Sequence, residues 1–140
     1  MASKPETSFI QSVHRYLPKA VYVEGMANPY RGGTPDRYYE GPGAELWVEY
    51  KYYPKLPPRI DLTDLSARTN LSRLQMTWLK RAYNNGRNVA VILGWPQGGI
   101  VFKDMTWVNP ISRSDAISQT LVRKHIARWI AGQVGINETG

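Results

Sequence analysis

The sequence predicts an α/β fold with helices packed on a central sheet, and three observations carry that prediction. Residues 45–53 are rich in Trp, Val and Tyr and read as a strong strand. The run Val89 to Leu93 is wholly apolar, which suits a strand covered on both faces. Helical signals flank these strands at 3–17, 71–83 and 114–132.

Phe9, Ile10, Val13 and Leu17 share one helical face, so Ser3 to Leu17 forms the first helix and Pro18 closes it. Ala20 to Val23 alternates and reads as a short strand. The stretch 25–33 is loop, with Gly25, Pro29, Gly32 and Gly33. Asp36 to Tyr39 begins a second strand, and Gly41-Pro42-Gly43 turns it into the strand Glu45 to Tyr53. A Pro-rich run follows at 54–58, then a short helical turn over Asp61 to Ala67. Leu71 to Tyr83 is the second long helix, ended by Asn84-Asn85-Gly86. The strand 89–93 comes next, then a turn over 94–99 and a final strand at 100–102. Ser114 is the expected N-cap of a last helix running to about Gly132. The resulting order is α-β-β-β-α-β-β-α.

At 140 residues the chain suits one domain, 1–140, with a core over 6–102 and the C-terminal helix at 114–132. It has no Cys, which excludes disulfides, thiolate zinc sites and cysteine nucleophiles. Two distant histidines, His14 and His125, lack metal-ligand spacing. No apolar stretch approaches a membrane span, and residues 1–16 carry no signal-peptide core, so the expected location is cytoplasmic. The net charge of +7 favours an acidic partner. Its distribution says more: residues 1–64 hold eight bases and eight acids, whereas 65–140 hold ten bases and three acids. A hard-cation site beside a polyanion surface would have this pattern.

The chemistry centres on Thr34-Pro35-Asp36 and, after twelve intervening residues, Glu49-Tyr50-Lys51. Glu49 and Lys51 are two apart on a strand and therefore share a face, while Val48, Tyr50 and Tyr52 take the other. A hairpin brings Asp36 beside Glu49. Two carboxylates next to an ammonium suit Mg²⁺, or Mn²⁺, with water and phosphate completing the shell. Such an ion polarises a phosphodiester and acidifies water, and Lys51 can orient that water or stabilise the pentavalent charge. The rival reading is a surface acid and an ordinary ion pair.

This pattern resembles the PD-(D/E)xK nuclease superfamily. Leu71-Ser72-Arg73-Leu74-Gln75 and Gly33-Thr34-Pro35-Asp36 are similar to the L-S-x-x-Q and G-x-P-D signatures of its VRR-NUC branch. The resemblance covers roughly residues 6–94 and implies a restriction-endonuclease-like mixed sheet flanked by helices. It implies that Asp36, Glu49 and the Tyr50 carbonyl hold the metal, that Lys51 is the catalytic lysine, and that Gln75 and Glu6 reach the site. Both last residues have structural rivals. Ser72-x-x-Gln75 and Ser3-x-x-Glu6 each read as a capping box.

Arg31 and Arg37 flank the proposed site. Arg73, Lys80 and Arg81 lie on the second long helix, and Lys124 and Arg128 stack at i, i+4 on the last. These are the expected DNA-backbone contacts, although solvated faces look alike. The resemblance implies a Mg²⁺-dependent endonuclease, similar to small phage-type enzymes, acting on duplex or branched DNA, including Holliday junctions. A homodimer is expected, because two strands cut symmetrically need two sites. The alternatives are a catalytically silent nuclease-like DNA-binding module and a basic RNA-binding protein.

Overall fold

The structure is a computed structural model that describes residues 3–26 and 32–137. Its elements are α1 (Lys4–His14), β1 (Tyr22–Gly25), β2 (Arg37–Glu40), β3 (Glu45–Tyr52), β4 (Arg59–Ile60), α2 (Arg73–Asn84), β5 (Val89–Trp95), β6 (Gly98–Lys103), β7 (Ile111–Ser112), α3 (Arg113–Gln119) and α4 (Arg123–Gln133). A single 3-10 turn spans Thr106–Val108.

Five strands form one mixed sheet in the order β1-β2-β3-β5-β6. β3 and β5 pair in parallel, joined by the crossover through α2, and the remaining pairs are antiparallel. Residues 89–94 of β5 are buried throughout, as a strand between two covered faces requires. On one face α1 and α4 pack over Leu46, Val48, Tyr50, Ala90 and Ile92. On the other, α2 and α3 pack over Val89, Val91, Leu93, Ile100 and Phe102. Each Leu, Ile, Val or Phe side chain among them contributes roughly 1.5–3 kcal/mol on burial.

Three expectations need correction. The segment 61–67 is not helical, because its polar side chains take the backbone donors: Asp61 Oδ1 accepts from the Thr63 N–H at 3.0 Å, and Asp64 Oδ1 from the Ser66 N–H at 2.9 Å. The single helix 114–132 is two helices, and Ser112, not Ser114, caps the first. The break follows from a competing sheet contact, in which Leu121 exchanges both backbone hydrogen bonds with Gly99, at 2.8 and 2.9 Å. The Thr120 hydroxyl, which accepts from Trp95 Nε1 at 3.0 Å, anchors the same turn. Finally, the order gains a second, two-stranded sheet, in which β4, within the 53–71 loop, pairs with β7.

Under α1 runs a short polar chain. His14 Nε2 lies 2.7 Å from the Tyr39 hydroxyl, which lies 2.6 Å from that of Tyr50. Burial, helped by the Arg37 charge, holds the His14 imidazole down to about 4. Its folded pKa is below the unfolded value of 6.5, so the folded state binds fewer protons between these values. Stability from this group is present above about 6.5 and is lost as pH falls toward 4. Half-buried and partly screened, it should contribute on the order of 1–2 kcal/mol. Urea denaturation at pH 4.5 and pH 7 should show a smaller loss for His14→Gln than for the parent protein.

Candidate active site

The register of β2 against β3 builds the site. The pairs run from Glu40↔Glu45 to Arg37↔Val48, so the next position sets Asp36 opposite Glu49. Pro35 precedes it and has no N–H, and the β2 ladder ends there. The Asp36 side chain takes over from the ladder: its Oδ2 accepts the Tyr50 N–H at 2.8 Å. Strand alternation keeps Asp36, Glu49 and Lys51 on the α2 side of the sheet, while Val48 and Tyr50 join the α1 side.

The glycine of the Gly33-Thr34-Pro35-Asp36 segment has a specific task. Gly33 has φ +94°, and a Cβ there would lie 2.3 Å from the Leu74 carbonyl oxygen. Only glycine lets this backbone lie against the first turn of α2. That contact brings Asp36 and Gln75 to the same place.

Gln75 satisfies both readings of the sequence at once. Its Oε1 accepts the Ser72 N–H at 2.9 Å, and its own N–H donates to Ser72 Oγ at 3.1 Å, which completes a capping box. The other end of the amide, Nε2, donates to Glu49 Oε2 at 3.0 Å. Lys51 Nζ lies 3.5 Å from the same oxygen. Glu49 is 2% exposed, and its Oε1 is buried with no hydrogen-bond partner among the described residues. Burial pushes the Glu49 carboxyl well above the usual range, the Asp36 carboxylate adds to the rise, and Lys51 opposes it.

Glu6 arrives from α1. Ser3 Oγ accepts its N–H at 3.2 Å, so half of the expected capping box forms. Burial and then the Asp36 carboxylate raise the Glu6 carboxyl to about 7, against the pull of Lys51 and Arg37. The structure therefore gathers Asp36, Glu49, Lys51 and Gln75 at one end of β3, and Glu6 lies close enough to feel the charges of Asp36 and Lys51.

The basic residues divide differently. Arg37 donates to the Asp36 carbonyl at 2.9 Å, beside the acids. Arg73, Lys80 and Arg81 are exposed on α2, with Arg81 5.3 Å from the centre of the Trp78 ring. Lys124 and Arg128 are exposed on α4, in the layer on the opposite face of the sheet from Glu49. Arg31 lies outside the described residues. The acids and the α4 cations thus do not form one surface. Arg123, grouped by sequence with the cations of the last helix, instead ties α4 to α1 through Ser12 Oγ at 2.7 Å and packs on the Phe9 ring.

No family model matches the sequence. No match emerges among curated proteins. Among solved structures, the chain is similar to Archaeoglobus fulgidus Hjc, a Holliday junction resolvase from an archaeal hyperthermophile. The TM-score is 0.55 at 16% identity, over 94% of this chain and 99% of that one. The fold is restriction-endonuclease-like. The mixed sheet and its flanking helices match that of the resolvase.

Among the described residues, no group of three or more His, Cys, Asp or Glu side chains converges tightly enough to hold an ion by itself. The donors present still suit a hard divalent cation. A buried carboxylate oxygen without a donor, Glu49 Oε1, calls for a positive partner. Two carboxylates and a backbone carbonyl, that of Tyr50, are the oxygen ligands that Mg²⁺ combines with water.

The site stores a pH-dependent cost. Glu6 has its folded pKa raised from 4.5 to about 7, so it favours folding below 4.5 and loses that advantage as pH rises through about 7. In EDTA at pH 8, Glu6→Gln should raise stability by on the order of 1–2 kcal/mol, discounted for partial exposure, and the gain should vanish near pH 4. Thermal melts of both proteins across that range check it.

Proposed function

We propose that the protein is a metal-dependent DNA endonuclease of the PD-(D/E)xK type, VRR-NUC-like, that hydrolyses phosphodiester bonds in branched DNA such as Holliday junctions. The carrying observation is the register that sets Asp36 opposite Glu49, with the buried Oε1 of Glu49 unpartnered and Lys51 alongside. The likeness of the fold to that of a Holliday junction resolvase supports the substrate class.

Asp36, Glu49 and the Tyr50 carbonyl would hold Mg²⁺ or Mn²⁺. When bound, such an ion supplies Lewis acidity to the phosphate and to the attacking water. The remaining roles belong to side chains. Gln75, fixed at its other end by the helix cap, holds Glu49 Oε2 and leaves Oε1 as the oxygen that would bind the ion. Lys51, with its side chain 17% exposed, can donate a hydrogen bond to the water or to the phosphoryl oxygens. Glu6, half-buried and with its carboxyl raised to about 7, would accept a proton at neutral pH. Water attacks phosphorus, one P–O bond breaks, and the leaving oxygen takes a proton. Arg37, Arg73, Lys80 and Arg81 contact the DNA backbone near the site, and Lys124 and Arg128 contact a more distant arm.

The test is cleavage of a labelled four-way junction and of plasmid DNA with Mg²⁺, Mn²⁺ or EDTA. Glu49→Gln and Lys51→Ala should each lower the rate by about 10²-fold or more, as loss of a charge-stabilising group does. Both variants should keep a cooperative thermal transition, and EDTA should abolish cleavage by the parent protein. Binding without cleavage under either metal would point instead to a silent DNA-binding module.

One chain supplies one acid set, so a symmetric two-strand cut calls for a homodimer. Light scattering at micromolar protein should give twice the 15.9 kDa chain mass. A monomer mass would refute the dimer.

A further inference from the structure

β3 does not end at the acids. Strand alternation carries 49, 51 and 53 along one face, so the chain beyond Lys51 opens on the same side of the sheet as Glu49. There the loop 53–71 folds back and encloses a depression of about 340 Å³, lined by Tyr53, Pro54, Lys55, Pro57, Arg59 and Arg68. At roughly 3.3 Å per strand residue, Tyr53 lies two residues, or about 7 Å, beyond Lys51.

The loop is held rigidly. Tyr53 donates its N–H to the Gly94 carbonyl at 2.9 Å and its hydroxyl to the Thr69 carbonyl at 3.1 Å. Thr69 Oγ1 returns a hydrogen bond to the Tyr52 carbonyl at 3.2 Å. Leu56, Ile60 and Leu62 are buried as plugs beneath the loop, and Arg113 Nε grips the Leu56 carbonyl at 2.9 Å. Pro54, Pro57 and Pro58 fix their own φ angles. A ligand entering this depression meets a wall already formed, with little ordering cost.

The lining is bipolar. Pro54, Pro57, Ala67 and the edge of Tyr53 make an apolar floor, and Lys55, Arg59 and Arg68 carry positive charge at the rim. Arg59 is partly neutralised by Asp61 at 3.6 Å. Among the described residues, Lys55 and Arg68 have no ion-pair partner, and both are exposed. An apolar floor under a cationic rim fits a sugar and base with phosphates on either side. The volume is at the lower end of small-ligand pockets, about 300–1,000 Å³, and far too small for a base-paired duplex.

We propose that the 53–68 depression holds an unpaired nucleotide of the DNA strand that runs past the cleavage site, with Lys55 and Arg68 on its flanking phosphates. The proposal rests on the nuclease reading above and deepens it. It makes this loop the element that selects DNA with an unstacked nucleotide at a branch over fully paired DNA.

The test measures binding by fluorescence anisotropy with the full chain in EDTA, so it does not depend on cleavage. The probes are a fully paired duplex, the same duplex with a two-nucleotide unpaired gap, and an RNA oligonucleotide matching the gapped strand. The parent protein should prefer the gapped DNA. Lys55→Ala/Arg68→Ala should lose that preference by about tenfold and flatten the salt dependence on the gapped probe by about 1.4 in log–log slope, near 0.7 per unpaired-strand phosphate contact. Its affinity for the paired duplex and its melting temperature should stay as in the parent, since both side chains are exposed. An equal fall on paired and gapped probes, an unchanged preference, or tighter binding of the RNA than of the gapped DNA overturns the proposal. If the parent protein cleaves no DNA with Mg²⁺ or Mn²⁺ while the double variant loses the gap preference, the nuclease assignment fails and the depression stands.

Discussion

The antiparallel register between β2 and β3 governs the arrangement at the acids. With Arg37 against Val48, position 36 must face position 49, and strand alternation puts both on the side that α2 covers. Shifting the pairing by one residue would turn Glu49 toward α1 and Tyr50 toward α2, which exchanges a buried apolar set for a buried acid. Several features hold the register. The Gly41-Pro42-Gly43 turn joins the two strands, Tyr39 and Leu46 are fully buried, and Asp36 Oδ2 clamps the Tyr50 N–H where the ladder stops. The parallel partner β5 then fixes β3 from its other edge.

Around this pair, the site is assembled by parts that also hold the fold. Gln75 caps its own helix with one end of its amide and restrains Glu49 with the other. The close approach at Gly33 lets both happen in one place. The cost falls on Glu49, whose carboxyl is buried beside Asp36 with one oxygen unpartnered. An arrangement that destabilises an acid in the folded protein is expected where that acid has a ligand to meet.

The sequence made the main sheet legible where side-chain period was strong. The alternation in 45–53 and the apolar run at 89–93 correspond to β3 and β5, and the two-apart spacing of Glu49 and Lys51 put them on one face. It was illegible where tertiary contacts overrode local pattern. β4 and β7 are two residues each, too short for any period. Nothing local reveals that Leu121 leaves its helix for Gly99, because a sheet edge makes that choice. The charge split along the chain suggested a division into acidic and basic surfaces. In space the bases part company: those of α2 lie on the acid side of the sheet and those of α4 on the other. Gln75 showed a different limit. Cap and site were read as rivals, but an amide has two ends.

The helix that brings Glu6 is made early by the ribosome but secured late. Its apolar face, Phe9, Ile10 and Val13, packs with Ile126, Ala127 and Ile130 of α4, and Arg123 reaches back to Ser12 across 111 positions of chain. A growing polypeptide that has emerged only through β6 therefore has its acids but not the full support beneath one of them. Completion of the acid cluster is tied to synthesis of residues near 130, so the last helix to be made sets the time at which Glu6 gains its full support.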